Sequence, residues 1–428
     1  MRAAVLDTDG RLHGRAARPL EILSSGPGRA EHDPGAWLAG ALESGREAVA
    51  EAGQVDIAAV GIGALGPAPV LVDADLEPLT AVPLFALDRR AEEQRARLGV
   101  GDDHALPKLL WWRENDPELF ARAAWALDAT GFLVGALAAE PAMDSITRAA
   151  YEHDGVDAGV PVPPPLPPYA PAGGLRPEPA RELGVRPGTP VVVGTFDTYV
   201  DIAGAGVGPG DGCLLLGSTL AVYAVVTAGE AIPGLELTPY PGDGLLLGGT
   251  TASAGTVLRW LAGLLGGDEG DLAEAAAELE PGSGGLLALP YLAGERAPFS
   301  DPQARGAVTG LSLTTGRADL YRAVVDALAL AAVSIADRLP EPRSWRASGG
   351  GCRNPAWLRA TCDALGSPVD VVEHAGEAVG PAVLALRSLG LQPRVGIATT
   401  VEPRAERTRR YESLYTRYCD LGERLRAL

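Results

Sequence analysis

The stretch VVVGTFDTYVDIAGAGVGPGD, residues 191–211, runs a short apolar segment into a turn and then sets two carboxylates, Asp197 and Asp201, ahead of an Ala/Gly-rich segment. A short β-branched run closed by Gly predicts a buried strand, and the small-residue segment after it predicts a helix. An acid at such a junction has two readings. It caps the helix by accepting backbone N–H bonds, or it stands at the carboxyl end of a strand, where open α/β sheets place their ligand sites.

Outward from this stretch, strands occur in hairpins and then alternate with helices, twice over. AAVLDTDGRLHGRA alternates around Asp-Gly, a hairpin signal. A helix is expected over about residues 34–52, then a strand in IAAVGIGAL and a second hairpin-like unit in PVLVDADLEPLTAVPLF. Residues 107–137 show i, i+3, i+4 apolar spacing throughout and read as helical core. PVPPPLPPYAPAGG, residues 161–174, reads as a stiff extended surface loop. The second half repeats the plan: the 191–193 strand and its helix, the hairpin GCLLLGSTLAVYAVV, a helix in AGTVLRWLAGLL, a long helix over about 317–338, and WRASGGGCRNPAWLRATCDALG. No fixed-period repeat is visible.

A chain of 428 residues exceeds one ordinary core, so two α/β domains are expected, divided as 1–208 and 209–428, with ligands in a cleft between them. The formal charge of −19 argues against nucleic-acid or anionic-membrane partners, which require a basic patch. A single phosphorylated ligand is still compatible, because backbone dipoles and a few cations suffice. Cys213, Cys352, Cys362 and Cys419 are widely spaced without a CxxC pair, so reduced thiols, no zinc site and a cytoplasmic location are expected. The N-terminus has no long apolar core of a signal peptide.

Three segments carry the chemistry, two of them Gly-rich turns. In LLLGST, Gly217, Ser218 and Thr219 offer amides and hydroxyls suited to phosphate oxygens, although such turns are common. In ASGGGCRNPAW, Gly349, Gly350, Gly351 and Asn354 precede a helix whose N-terminus favours an anion. It is not the GxxxxGK[ST] loop, and the chain's one lysine, Lys108, lies elsewhere. In FALDRRAEE, Asp88, Arg89 and Arg90 open a helix after a strand; taken alone, Asp88 reads as a cap.

The order of these pieces resembles the FGGY family of carbohydrate kinases, which includes xylulose, gluconate and glycerol kinases. LPKLLWWREN is similar to its first signature, GAVTGLSLTTGRADLYRAVVDALAL to its second, YLAGERAPFSDPQARG to the Gly-Glu-Arg-x-Pro loop before it, and GGGCRNPAWLRATCDALGSPV to its late adenosine-binding segment. The resemblance implies a two-domain actin-like ATPase (ribonuclease H-like) fold, with ATP and Mg²⁺ used to phosphorylate a small sugar. It makes Asp197 the catalytic base and demotes Asp201 to a surface or capping role. Ser218 and Thr219 would meet the transferring phosphate, Gly255 would line the nucleotide cleft, and Gly350 and Asn354 would hold the adenosine. Asp88 and Arg89 would fall near the sugar.

Two departures accompany the resemblance. The family begins with a strand and an Asp-x-Gly-Thr turn that grips phosphate, and this chain starts after it. A neighbouring strand without that member would keep unpaired backbone groups. A start codon assigned too far downstream is favoured over a truncated chain or a non-catalytic relative, because Asp197 and the Gly-rich turns are retained. Many ketopentose kinases of the family carry Gly-Gln-Met-His where this chain has Ala64-Leu65-Gly66-Pro67; Leu65 offers a sugar no hydrogen bond. The expected activity is phosphoryl transfer to a ketose, polyol or sugar acid. The rival is a pseudokinase that binds nucleotide or sugar in a regulatory role, and an actin-like filament protein fits less well. A homodimer is the base-rate assembly.

Overall fold

The opening hairpin forms around its Asp-Gly turn: β1 (Arg2–Leu6) and β2 (Leu12–Ala17) pair antiparallel, with Val5 opposite Gly14. In this computed structural model, which describes residues 1–84, 87–101, 104–374, 378–392 and 394–426, helix α1 (Pro34–Ala52) follows. Asp33 caps it by accepting the Gly35 amide, and Pro34 sits in the first turn, where a missing N–H costs nothing. α1 lies so close to β2 that a Cβ on Gly14 would fall 2.0 Å from the Ala48 carbonyl oxygen.

The elements that build the site continue in chain order as β3 (Gly63–Ala64), β4 (Pro69–Val72), α2 (Leu106–Asn115), β5 (Trp125–Asp128), α3 (Ala129–Ala138), β6 (Pro171–Gly174), β7 (Pro190–Val192), β8 (Thr195–Phe196) and α4 (Asp197–Gly204). Next come β9 (Gly212–Leu216), β10 (Leu220–Val226), β11 (Glu236–Pro239), β12 (Leu245–Thr250), α5 (Gly255–Leu264), α6 (Arg317–Ala336), β13 (Trp345–Ser348), α7 (Pro355–Leu365) and β14 (Val369–Val372). The chain ends with α8 (Val379–Ser388), β15 (Ile397–Val401) and α9 (Ala405–Arg426). Two compact units result: Met1–Gly204 with Glu377–Arg394, and Ala205–Gly376 with Val395–Leu428.

In the first unit the strands form short two-stranded ladders. β4 pairs antiparallel with β5, and Val70, Leu71 and Val72 are fully buried there, each worth about 1.5–3 kcal/mol of transfer free energy. β5 corrects the expectation of continuous helix over 107–137. Four apolar residues match either period, and tertiary pairing with β4 decides for strand. β6 likewise corrects the reading of 161–174 as irregular throughout. Residues 171–174 pair antiparallel with β7, Pro171 at the end of the ladder where its missing N–H is tolerated, and Pro165–Leu166 pairs with Met143–Asp144. The expected strand IAAVGIGAL shrinks to β3 and an isolated bridge between Val60 and Val191.

In the second unit a seven-stranded sheet has the order β11-β12-β10-β9-β13-β14-β15, with β9, β13 and β14 parallel and the remaining pairs antiparallel. α6 is buried on every side from Tyr321 to Val333, as a helix apolar around its circumference must be. No helix among the described residues is long and apolar enough to cross a membrane.

Candidate active site

β3 and β8 run parallel, with Gly63 opposite Thr195 and Ala64 opposite Phe196. α4 begins at the residue after Phe196, so Asp197 stands at the strand's carboxyl end. The strand is pinned from beneath: the buried Thr195 hydroxyl donates to Asp144 Oδ1 at 2.8 Å, and that oxygen also accepts the Ile146 and Thr147 amides. The Asp197 side chain is accessible, and its Oδ1 accepts the Thr198 amide at 2.7 Å. Protein on its flanks thins the water around it and lifts its pKa above the usual carboxylate value, against the Thr198 hydrogen bonds. Asp201, one turn on and also exposed, is raised to about 7 by the same desolvation and by the Asp197 charge, with Arg2 opposing. The two acids thus share one electrostatic environment.

The flank beside Asp197 is apolar. A Cβ on Gly66 would fall 2.0 Å from the Phe196 ring, so only glycine lets the 64–67 turn lie against that ring, and Phe196 stacks on Tyr199 at 6.2 Å. The turn is held by Asp128, whose Oδ1 accepts the Ala68 amide at 2.7 Å and the Tyr151 hydroxyl at 3.0 Å. Burial pushes Asp128 to about 8. Sequence reasoning passed over Asp128, although its place in ALDATG, an acid closing a short apolar run before a small-residue helix, repeats the pattern that singled out Asp197.

Asp88 is buried and its carboxylate is occupied. It accepts the Ala30 amide at 3.0 Å, the Arg90 amide at 3.1 Å, and Arg90 Nε and Nη2 at 2.8 Å each. Arg90 also pairs with Glu31, and the guanidinium groups of Arg90 and Arg29 each lie 5.3 Å from the Trp111 ring centre on α2. Arg89 is exposed, and its amide donates to Gly28 O. Asp88 therefore organises the Arg90 cluster, while Arg89 keeps its side chain at the surface. Lys108 is buried on α2 and donates to Leu84 O at 3.0 Å.

In the second unit the structure brings Ser218, Thr219, Gly255, Gly350 and Asn354 together. The β9–β10 turn closes by a Gly217 amide bond to Thr219 O at 3.0 Å. Its carbonyls then receive the start of α5: Gly217 O accepts the Gly255 amide at 3.0 Å, and Ser218 O accepts the Ala254 amide at 2.8 Å and the Thr256 hydroxyl at 3.0 Å. A Cβ on Gly255 would fall 2.5 Å from Gly217 O, which explains that glycine. The Ser218 side chain is exposed. Because β9 and β13 are parallel, with Leu215 opposite Ser348, the turn after β13 emerges beside 217–219.

In that turn the demand for glycine falls on Gly349 (φ 98), whose Cβ would meet Leu216 O at 2.6 Å, and on Gly351, whose Cβ would meet the Trp357 ring at 2.4 Å. Gly350 is exposed and faces only the end of the Arg353 side chain, so it is the open member of the three. Two helix N-termini, of α5 and α7, and two Gly turns thus gather amide donors in one place, an arrangement that suits anionic phosphates.

Asn354 is engaged at both ends of its amide: Oδ1 accepts the Trp357 amide at 3.1 Å, capping α7, and Nδ2 donates to the Tyr321 hydroxyl at 3.0 Å. Asn354→Ala should cost about 1–2 kcal/mol in denaturant unfolding, with Asn354→Ser, which keeps a capping oxygen, recovering most of it. Equal losses for the two variants would remove capping as the cause.

The loop read from the Gly-Glu-Arg-x-Pro pattern braces the entry to α5. Glu295 Oε1 accepts the Ala252 and Arg296 amides at 2.8 Å each, and Arg296 Nη2 donates to Thr251 O at 2.8 Å. Thr251 Oγ1 in turn accepts the Leu220 amide at 3.1 Å at the start of β10. Burial raises Glu295 from an ordinary 4.5 to about 7, the amide hydrogen bonds opposing. Between those values the folded chain keeps a proton that the unfolded chain has released. Stability from this group therefore falls as pH rises through the window and is lowest above it. Glu295→Gln is neutral at every pH and retains an acceptor oxygen. Its denaturation midpoint should gain on the wild type from about pH 5 to about pH 8. A constant difference across that range would contradict this origin.

Comparison with known proteins matches the family model for the N-terminal domain of the FGGY family of carbohydrate kinases to residues 1–151, and the model for its C-terminal domain to residues 213–389. A xylulose kinase from Staphylococcus epidermidis is 26% identical over 98% of this chain and 93% of its own length. A gluconokinase from Bacillus subtilis is 28% identical over 50% of this chain and 46% of its own. Among solved structures, the xylulose kinase from Rhodospirillum rubrum superposes with a TM-score of 0.86 at 28% identity, covering 100% of this chain and 96% of that one. The fold is the two-domain actin-like ATPase fold of such kinases, and the reaction class is ATP-dependent phosphorylation of a sugar, polyol or sugar-acid hydroxyl. With both family domains matched along the sequence, the chain belongs to the FGGY family of carbohydrate kinases.

Proposed function

We propose that Asp197 is the base of the reaction. The acceptor hydroxyl oxygen attacks the γ-phosphorus of ATP, the bond from that phosphorus to the bridging oxygen breaks to release ADP, and the hydroxyl proton passes to the Asp197 carboxylate. A single carboxylate within hydrogen-bond reach suffices, because the acceptor loses its proton late in a loose transition state. The observation that carries this reading is an accessible carboxylate at a strand end, held by the Thr198 amide and with its pKa raised above the usual carboxylate value by burial, which makes it a better proton acceptor. Ser218, Thr219 and Gly255 would hold the phosphates, and Gly350 and Asn354 would border the adenosine.

Among the described residues no three His, Cys, Asp or Glu side chains form a group able to hold a metal ion. Mg²⁺ would enter on the nucleotide phosphates, with water and at most one or two carboxylates, as is usual for this ion. Bound there, it would neutralise charge building on the phosphates. The substrate would be a small ketose, polyol or sugar acid. The apolar flank at Gly66 and Phe196 sets it apart from a site lined by Gln and His, so its hydroxyls must find partners elsewhere in the first unit. The reaction would run in the cytoplasm, with a homodimer as the expected assembly.

The test is an ADP-release assay with ATP and Mg²⁺ against a panel of ketopentoses, polyols and aldonic acids. Turnover with one of these classes is expected. Nucleotide binding without turnover across the panel would favour a binding role instead.

A further inference from the structure

Thr195, two residues before Asp197, is fully buried and is held at both its side chain and its main chain. Its hydroxyl donates to Asp144 Oδ1 at 2.8 Å, and its carbonyl oxygen accepts the Thr130 hydroxyl at 3.3 Å. Asp144 and Thr130 are themselves buried, so water does not replace either bond. The two holds come from separate places in the chain: Asp144 closes the strand Met143–Asp144, and Thr130 stands in the first turn of α3. Thr130 also limits the approach of the strand, because a Cβ on Gly194 would fall 2.8 Å from its Cγ2. The same β5–α3 corner supplies Asp128, whose hold on the Ala68 amide fixes the 64–67 turn. One corner of the first unit therefore sets both the strand that leads into Asp197 and the turn that lies against Phe196.

Local structure does not demand these ties. Asp144 Oδ1 already accepts the Ile146 and Thr147 amides at 2.9 and 3.1 Å, which caps the short helix Ser145–Ala149 without help from Thr195. Nor does a buried strand require a hydroxyl, since valine shares the branched shape and β preference of threonine and buries no polar atom. What the hydroxyl adds is direction. A tie at one atom leaves a residue free to turn about it, whereas ties at the hydroxyl and the carbonyl fix two points. Among the described residues the Asp197 side chain hydrogen-bonds only to the adjacent Thr198, so its direction is inherited from the strand. Two residues of strand span about 6.6 Å, so a tilt of about 10° at Thr195 would move Asp197 by about 1 Å. A misplacement of that size can cost about 10²-fold in rate.

We propose that Asp144 and Thr130 are positioning residues for Asp197: by holding the Thr195 hydroxyl and carbonyl, they fix the direction in which the β8–α4 junction presents the carboxylate to the acceptor hydroxyl. The effect on turnover rests on the reading of Asp197 as the base, whereas the clamp on the strand end does not.

The experiment uses the full chain and three variants. Thr195→Val removes the hydroxyl and leaves Asp144 its two amides, Thr195→Ser keeps the hydroxyl, and Thr130→Val frees the Thr195 carbonyl with Asp144 untouched. Steady-state kinetics are read with ATP, Mg²⁺ and the panel acceptor of highest turnover, and amide exchange is read without ligands. Thr195→Val should lower kcat by about 10–100-fold with both KM values within about threefold of wild type. The Thr198 amide, which Asp197 accepts, should exchange about tenfold faster, while that of Val70 in the β4–β5 ladder keeps its wild-type rate. Thr130→Val should move kcat and Thr198 exchange in the same direction by a smaller factor, and Thr195→Ser should restore both to within about threefold. Wild-type kcat and exchange in Thr195→Val would overturn the proposal, as would equal losses in the Val and Ser variants at position 195. Faster exchange at Val70 in step with Thr198 would make the clamp a general stabiliser and overturn positioning. Failure of the base reading is seen separately, as wild-type turnover by Asp197→Asn, and leaves the Thr198 exchange result standing.

Discussion

Asp197→Asn should lower kcat for sugar phosphorylation by about 10²–10⁴ while leaving the fold and nucleotide affinity close to wild type. The size follows from the role: a general base contributes in that range, and Asn cannot take up a proton. The selectivity follows from the surroundings. Asp197 is accessible rather than packed, and the Thr198 amide that it accepts at 2.7 Å can be accepted equally by an amide oxygen. The amide donors gathered around Gly217, Gly255 and Gly349 belong to the second unit and do not involve Asp197. An equal fall in kcat with a collapse of thermal stability would instead give Asp197 a structural role. Steady-state kinetics paired with a melting curve separates the two.

Asp326→Ala should destabilise the second unit by about 3–5 kcal/mol, the largest stability effect expected from a single site outside the apolar core. Asp326 and Arg322 lie one turn apart on α6 and are 4% and 1% exposed. Arg322 Nε donates to Asp326 Oδ1 at 2.8 Å, the Tyr411 hydroxyl of α9 donates to the same oxygen at 2.6 Å, and Asp326 Oδ2 accepts the Gly282 amide at 2.9 Å. Arg322 further donates to Tyr411 Oη at 2.8 Å and to Ala276 O at 3.2 Å. Removing the carboxylate leaves a buried guanidinium without its counter-charge and an amide without its acceptor. The double variant Arg322→Met, Asp326→Leu removes both charges and should recover much of the loss. Denaturant titration of the single and double variants checks it. A loss below about 1 kcal/mol for Asp326→Ala would place the pair among weak surface-like ion pairs.

What the sequence revealed and what it withheld follows from the range of the interactions concerned. The 2–17 hairpin, α1 with its Asp33-Pro34 start and the β9–β10 hairpin rest on local turn and cap chemistry, and all form where expected. β5 depends on β4, and β6 on β7, partners far away in sequence, so periodicity alone assigned 125–128 to helix and 171–174 to loop. Among site residues, the Asp197 junction was readable because a strand, an acid and a small-residue helix are contiguous. The long-range duties of Asp88 and Asn354 were not, because they depend on contacts with Ala30 in one case and Tyr321 in the other. Within the Gly349–Gly351 run, only close approach to Leu216 and Trp357 reveals which glycines are sterically required.

The most direct test of Asp197 as the base in ATP-dependent sugar phosphorylation is phosphorus NMR of the chain and its Asp197→Asn variant, each mixed with ATP, Mg²⁺ and the best acceptor from the panel. The wild type should convert the γ-phosphate signal into a sugar phosphate ester in step with ADP, and the variant should bind ATP with unchanged affinity while the γ-phosphate signal persists. ADP accompanied by inorganic phosphate rather than a sugar ester, or ester formation at the wild-type rate by the variant, would contradict the account.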